Sequence, residues 1–161
     1  MKVHKVTSTV YEFESIAECP KPVQELFGHA QKARQYAYAP YSKFLVGAAI
    51  RLENNKIVTG SNQENASYPS GLCAERTAIF YAGSQFPDVK IKTIAICAGP
   101  SDKENHSPVP PCGACRQAIA EYEQKQKQPI EIYFMGTTGK VRMVNSLLEL
   151  LPLAFDKKFL L

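Results

Sequence analysis

The chain has 161 residues, 45% of them hydrophobic, 10% aromatic and 21% charged, with 19 Lys and Arg against 15 Asp and Glu for a formal net charge of +4. That length fits one domain of about 100 to 200 residues, and enough apolar surface is present for a core without disulfide staples, which excludes disorder and collagen-like fibres. The basic residues are scattered rather than gathered along a stripe, and no window approaches the roughly 20 apolar residues of a membrane span, so neither nucleic acid nor membrane is an expected partner.

Residues 1–20 read as an N-terminal extension in which partial alternation around Val10, Tyr11, Glu12 and Phe13 allows a strand. It lacks the apolar stretch of a secretory signal. The five cysteines are therefore expected to be reduced, in a cytoplasmic protein. Residues 21–161 read as a single domain. Pro22 suits a first helical turn, and Val23, Leu26, Phe27, Ala30, Ala33 and Ala37 recur at helical spacing behind it. After the Pro40–Ser42 loop, Val46–Glu53 and Ile57–Gly60 form two β-favouring runs joined through Asn54 and Asn55, a predicted hairpin. The turn-forming stretch NQENASYPSGLC leads into CAERTAIFYAG, a predicted helix that Gly83 can end. A buried-looking strand IKTIAICAG, a Pro-punctuated loop from Pro100 to Pro111, and a second such helix, CGACRQAIAEYEQ, follow. Strand-like IEIYFM, a turn at Gly136–Gly139, a short run KVRMV and an apolar closing helix NSLLELLP complete the chain. Strands alternating with helices predict an α/β layer structure around one mixed sheet.

Two segments at predicted helix starts carry chemistry: Cys73-Ala74-Glu75 and Pro111-Cys112-Gly113-Ala114-Cys115. Cys112 and Cys115, three apart, share a helical face and can reach one tetrahedral ion, and Cys73 would make a third sulfur. Helix N-termini carry partial positive charge and favour thiolates. Three protein donors leave a fourth position open to water, as in catalytic rather than structural zinc sites. Cys97, in an apolar strand, reads as a small core residue, and Cys19 beside Pro20 as incidental. The PCGAC pair alone is equally a redox dithiol or half of a zinc ribbon. Glu75 tips the balance, because a carboxylate two residues from a ligating Cys can face a bound water without binding the metal and shuttle its protons.

These residues resemble the zinc-dependent cytidine deaminases, and within them the small three-cysteine homotetrameric class. The resemblance runs from about Tyr36 to about Phe155 through APYSKFLVGAAI, GSNQENASYPSGLCAERTAIF, PPCGACRQAIAEY and ELLPLAF. It implies a three-layer α-β-α fold around a mixed sheet of about five strands, with residues 21–161 as one catalytic domain. It implies one Zn2+ per subunit on Cys73, Cys112 and Cys115, with Glu75 taking the proton of the attacking water, passing it to pyrimidine N3, and later protonating the departing amine. Arg76 matches an arginine that hydrogen-bonds the ligating sulfurs and withdraws charge from them. Phe44 matches a base-stacking position, Asn62 and Glu64 ribose-binding positions, and the Ala74 amide a hold on the ring carbonyl. Asn62 and Glu64, two apart, face the same way in an extended segment, and a carboxylate there would repel a phosphate, which suits a free nucleoside. Ala66, Tyr68 and Phe155 match residues inserted into a neighbouring subunit's pocket, implying a homotetramer with shared sites.

The implied reaction is hydrolysis of cytidine, and of deoxycytidine since nothing visible senses the 2′ position, in pyrimidine salvage. A deaminase of another aminopyrimidine nucleoside, of the blasticidin S type, shares the same motifs. A structural zinc-binding interaction module would need a fourth protein ligand and has no use for Glu75. The first 20 residues and the closing DKKFLL have no counterpart in the resemblance.

Overall fold

A computed structural model describes residues 1–160. Helix α1 spans Lys21–Arg34, with Pro22 in its first turn, where a missing N–H costs nothing. Its buried residues Val23, Leu26, Phe27, Ala30 and Ala33 form one face at the predicted spacing. Strands β2 (Phe44–Leu52) and β3 (Ile57–Ser61) make the expected hairpin, whose turn places Asn55 at a φ of 64°. Helix α2 covers Ala74–Gln85, β4 Ile91–Pro100, α3 Gly113–Gln126, β5 Glu131–Met135 and β6 Val141–Val144.

The strands form a single sheet in the order β1-β6-β5-β4-β2-β3, where β1 is Tyr11–Phe13. Only β4 and β5 run parallel, as expected where a helix, α3, makes the crossover. The sheet therefore has six strands rather than about five. The sixth is the short N-terminal strand, in register with β6 through Tyr11↔Met143 and Phe13↔Val141. Glu12 ties it down by accepting from Lys140 Nζ at 2.6 Å and Arg142 Nε at 2.9 Å.

Alternation along the central strands divides the core into two layers. Ala49, Ala95, Cys97, Tyr133 and Met135 face α1, while Ala48, Ile50, Ile94, Ile96, Ile132 and Phe134 face α2 and α3. This is the three-layer α-β-α arrangement. Two glycines set how closely the layers approach. A Cβ at Gly47 would lie 2.0 Å from the Ala30 carbonyl oxygen of α1, and one at Gly60 would lie 2.6 Å from both the Ala74 carbonyl oxygen and the Ala78 nitrogen of α2.

Three predicted boundaries shift, the first at α1, which ends at Arg34 and leaves Ala37 outside the helix. Gly83 lies inside α2, which runs on to Gln85, because the glycine leaves room for Tyr122: a Cβ there would meet the Tyr122 hydroxyl at 2.4 Å. The closing helix is only a single 3-10 turn, Leu147–Glu149, capped by Ser146. Leu147 plugs the core, Pro152 forbids helical continuation, and Leu153 adopts a positive φ of 69°. Leu161 lies outside the described residues.

Candidate metal centre and cleft

Cys73 and Cys112 are the residues just before the first turns of α2 and α3, each with extended backbone and no side-chain capping bond. The two helices pack side by side on one face of the sheet. Cys73 is thereby brought against Cys112 across 39 residues of chain, at 3.8 Å between sulfurs, and Cys112 lies 3.5 Å from Cys115. All five cysteines are free, and the three donor sulfurs lie within 4.8 Å of one another.

This spacing fits a tetrahedral ion, because Zn–S bonds of about 2.3 Å put the sulfurs ~3.8 Å apart. Among the described residues no histidine or carboxylate joins the three sulfurs in that cluster. The donor set suits zinc, with one coordination direction left open. Cys19 and Cys97 stand apart. Both are buried, and burial pushes each thiol up to about 11, where it stays a neutral core group.

Electrostatics divide the trio unequally. The neighbouring Cys115 thiol, with the Arg76 guanidinium adding to it, lowers the Cys73 thiol below its ordinary value, while the contact with Cys73 and burial raise Cys115. Arg76 Nη2 donates to Cys73 Sγ at 3.5 Å, while its Nε is buried without a hydrogen-bond partner among the described residues. Glu75, in the first turn of α2, is 5% exposed. Burial, and then the Cys73 charge, raise its carboxyl to about 7, a value suited to holding and releasing a proton near neutrality.

Beside Cys73 and Arg76 a cleft of about 470 Å³ opens, walled by the 41–42 turn, the 62–65 segment and Tyr68. Asn62 and Glu64 both line it, but their polar atoms are already engaged. Asn62 Oδ1 accepts from the Val46 N–H at 2.8 Å and its Nδ2 donates to the Phe44 carbonyl at 2.9 Å. Glu64 Oε2 accepts from the Tyr41 and Ser42 N–H groups at 2.9 and 3.2 Å, and the Ser42 hydroxyl donates to Oε1. That hydroxyl holds the Glu64 carboxyl below the usual range. Tyr68 is 76% exposed and meets Tyr41 edge-on at 6.2 Å. Ala74 is fully buried at the start of α2.

Phe44, half-buried at the start of β2, lies outside the cleft lining, as do Ala66 on the exposed loop and Phe155 on the tail. Tyr41, Ser42 and Gln63 line the cleft without having been singled out from sequence. The Pro-Tyr-Ser turn next to a β-run was the available signal for the first two.

A family profile described as "Cytidine and deoxycytidylate deaminase zinc-binding region" matches residues 20–128. A cytidine deaminase of Sporosarcina psychrophila is 41% identical over 136 residues, covering 84% of this chain and 93% of the relative. One of Halalkalibacterium halodurans is 41% identical over 132 residues, covering 82% of this chain and 92% of the relative. The crystal structure of cytidine deaminase from Burkholderia pseudomallei superposes with a TM-score of 0.71 at 41% identity, covering 82% of this chain and 98% of that one.

Proposed function

The chain belongs to the family of zinc-dependent cytidine deaminases, and we propose that it converts cytidine and 2′-deoxycytidine, with water, into uridine and deoxyuridine plus ammonia as a reaction of pyrimidine salvage. The observation that carries this reading is the trio of sulfurs at tetrahedral spacing beside the buried Glu75 carboxyl. Residues 21–161 act as the catalytic domain, in the cytoplasm. Among the described residues, no helix is long and apolar enough to cross a membrane.

Cys73, Cys112 and Cys115 hold one zinc ion per subunit. When bound, zinc supplies a Lewis acid that brings water ionisation near neutrality. Glu75 does the proton work. Its carboxylate accepts a proton from the attacking water and delivers it to pyrimidine N3 as the C4–O bond forms, then takes the proton of that C4 hydroxyl and gives it to the amino group, so that the C4–N bond breaks, ammonia leaves and the C4 carbonyl remains. A carboxyl raised to about 7 by burial exchanges protons at little cost in either direction. Arg76 keeps a cation against the Cys73 sulfur, and the Ala74 amide holds the ring carbonyl.

Substrate enters the cleft between the 41–42 turn and the 62–65 segment. Glu64, fixed by three donors from Tyr41 and Ser42, presents its remaining lone pairs to the 3′-hydroxyl and repels a phosphate at that point. Asn62, locked onto β2 by both ends of its amide, positions the Phe44 strand on which the base stacks and offers its second amide proton to the ribose. The enzyme works as a homotetramer in which Ala66, Tyr68 and Phe155 enter neighbouring sites. The support is apolar surface that a monomer leaves in water: besides Tyr68, Leu153 and Phe155 are 94% and 56% exposed.

The test is an assay of uridine and ammonia formation from cytidine, with CMP and adenosine alongside. Turnover of cytidine, weak turnover of CMP and none of adenosine are expected. Zinc bound without turnover of any cytosine nucleoside would point instead to a structural zinc module.

A further inference from the structure

Arg116 follows Cys115 directly in α3, and its bonded nitrogens reach in two directions. Its main-chain N–H donates to the Cys112 carbonyl at 2.9 Å, and its Nε donates to the Pro111 carbonyl at 2.8 Å. Its Nη1 donates to the Leu150 carbonyl at 2.8 Å. The next residue, Gln117, donates from Nε2 to the Phe155 carbonyl at 2.9 Å. The segment from 150 to 155 is thus hung on two consecutive side chains of the helix that carries Cys115.

The approach to Cys112 packs with Pro111 buried but makes few hydrogen bonds. Pro108, Pro110 and Pro111 have no N–H to give, and among the described residues the Arg116–Pro111 bond is the sole hydrogen bond made by residues 108–111. The Cys112 side chain makes no capping bond. Arg116 itself has no carboxylate partner among the described residues, so its cation is spent on two carbonyl oxygens. The planar guanidinium fixes the angle between those two bonds, which a lysine ammonium cannot do. A tail shifted off α3 would therefore pull on the same group that fixes the peptide entering Cys112.

We propose that Arg116 is a positioning residue that couples the C-terminal segment 150–155 to the Cys112–Cys115 half of the metal site, so that docking of the tail sets how firmly that half grips its ion. The inference rests on the zinc reading of the three sulfurs, and the experiment separates the two.

Zinc release from the full-length holoprotein to a chromogenic chelator is followed at a temperature well below unfolding, together with the rate of tryptic cleavage at Lys157 and Lys158 in the tail. Arg116→Ala is expected to speed zinc release about tenfold or more, the range in which outer partners of metal ligands act, and to speed tail cleavage. Arg116→Lys, keeping the charge but only one of the two bonds, falls between. Gln117→Ala, which unhooks the tail at Phe155 and leaves the Arg116–Pro111 bond in place, is expected to speed tail cleavage and to speed zinc release by a smaller factor than Arg116→Ala, and a loosened tail with unchanged zinc release in this variant overturns the coupling. If Arg116→Ala does not fold, the intermediate rate of Arg116→Lys carries the test. Zinc release equal to wild type in both Arg116 variants overturns the coupling, whether or not the tail loosens. A wild-type protein that purifies without zinc and takes none up overturns instead the metal reading beneath it.

Discussion

Arg76 donates to the sulfur of Cys73 at 3.5 Å, and its buried Nε has no hydrogen-bond partner among the described residues. A buried cationic donor left open beside a sulfur cluster stabilises negative charge there, and replacing it leaves that charge uncompensated. Arg76→Ala is expected to lower kcat or zinc retention by about 10- to 100-fold. Steady-state kinetics with elemental analysis of the purified variant check this, and unchanged kinetics with full zinc content would refute it.

Glu75→Gln keeps the shape of the side chain and removes its proton exchange. Zinc content is expected to remain at wild-type level while kcat drops about 10²- to 10⁴-fold, the usual weight of a general acid–base group. Measuring both on one preparation tells a proton role from a metal-holding role.

Gly60→Ala tests the close approach of β3 to the start of α2. The added methyl would meet Ala74 and Ala78 backbone at 2.6 Å, so the helix start, and with it Cys73 and Glu75, must move. A stability loss of about 1–3 kcal/mol in denaturant titration is expected, with reduced zinc content. Full stability and full metal would contradict the packing.

Cys97 makes stability depend on alkaline pH. Its buried thiol donates to the Gly136 carbonyl at 3.2 Å and is pushed by burial from near 9 to about 11. The folded chain thus holds this proton more tightly than the unfolded one. The contribution is complete below about pH 9 and disappears as pH rises through about 11, a difference of about 2–3 kcal/mol. Cys97→Ser should flatten the decline in denaturant midpoint between pH 8 and 11, and identical profiles would count against it.

The N-terminal extension divides at Thr9. Among the described residues, the first hydrogen bond from this end is the Thr9 N–H to Glu149 at 2.7 Å, and Phe13 stacks on Tyr133 at 6.3 Å. Deleting residues 1–8 should leave the melting temperature unchanged. Deleting residues 1–13 uncovers the β6 edge and should lower the melting temperature and promote aggregation seen by light scattering.

Much of the candidate site could be read from spacing. A three-residue interval at a helix start fixes two sulfurs on one face, and a carboxyl two residues from the third follows the same local geometry. What spacing could not convey was tertiary. Asn62 and Glu64 sit on the predicted side of their segment, yet nothing local told that their polar atoms are engaged by Val46, Phe44, Tyr41 and Ser42. Gly83 carries the local signature of a helix end, and the Tyr122 ring packed over it gives the glycine a different job. The apolar run after Asn145 has helical composition, but Leu147 is captured by the core and Pro152 closes off continuation before a second turn can form.

The sulfur from the start of α2 must wait for its partners. As the chain leaves the ribosome, 38 residues separate Cys73 from Cys112, and the two meet only after β4 has been laid into the sheet and α3 has docked beside α2. A nascent or half-folded chain can therefore offer an ion one sulfur or two, but not three. Metal loading becomes a checkpoint on completed assembly, and a misfolded copy declares itself by failing to sequester zinc.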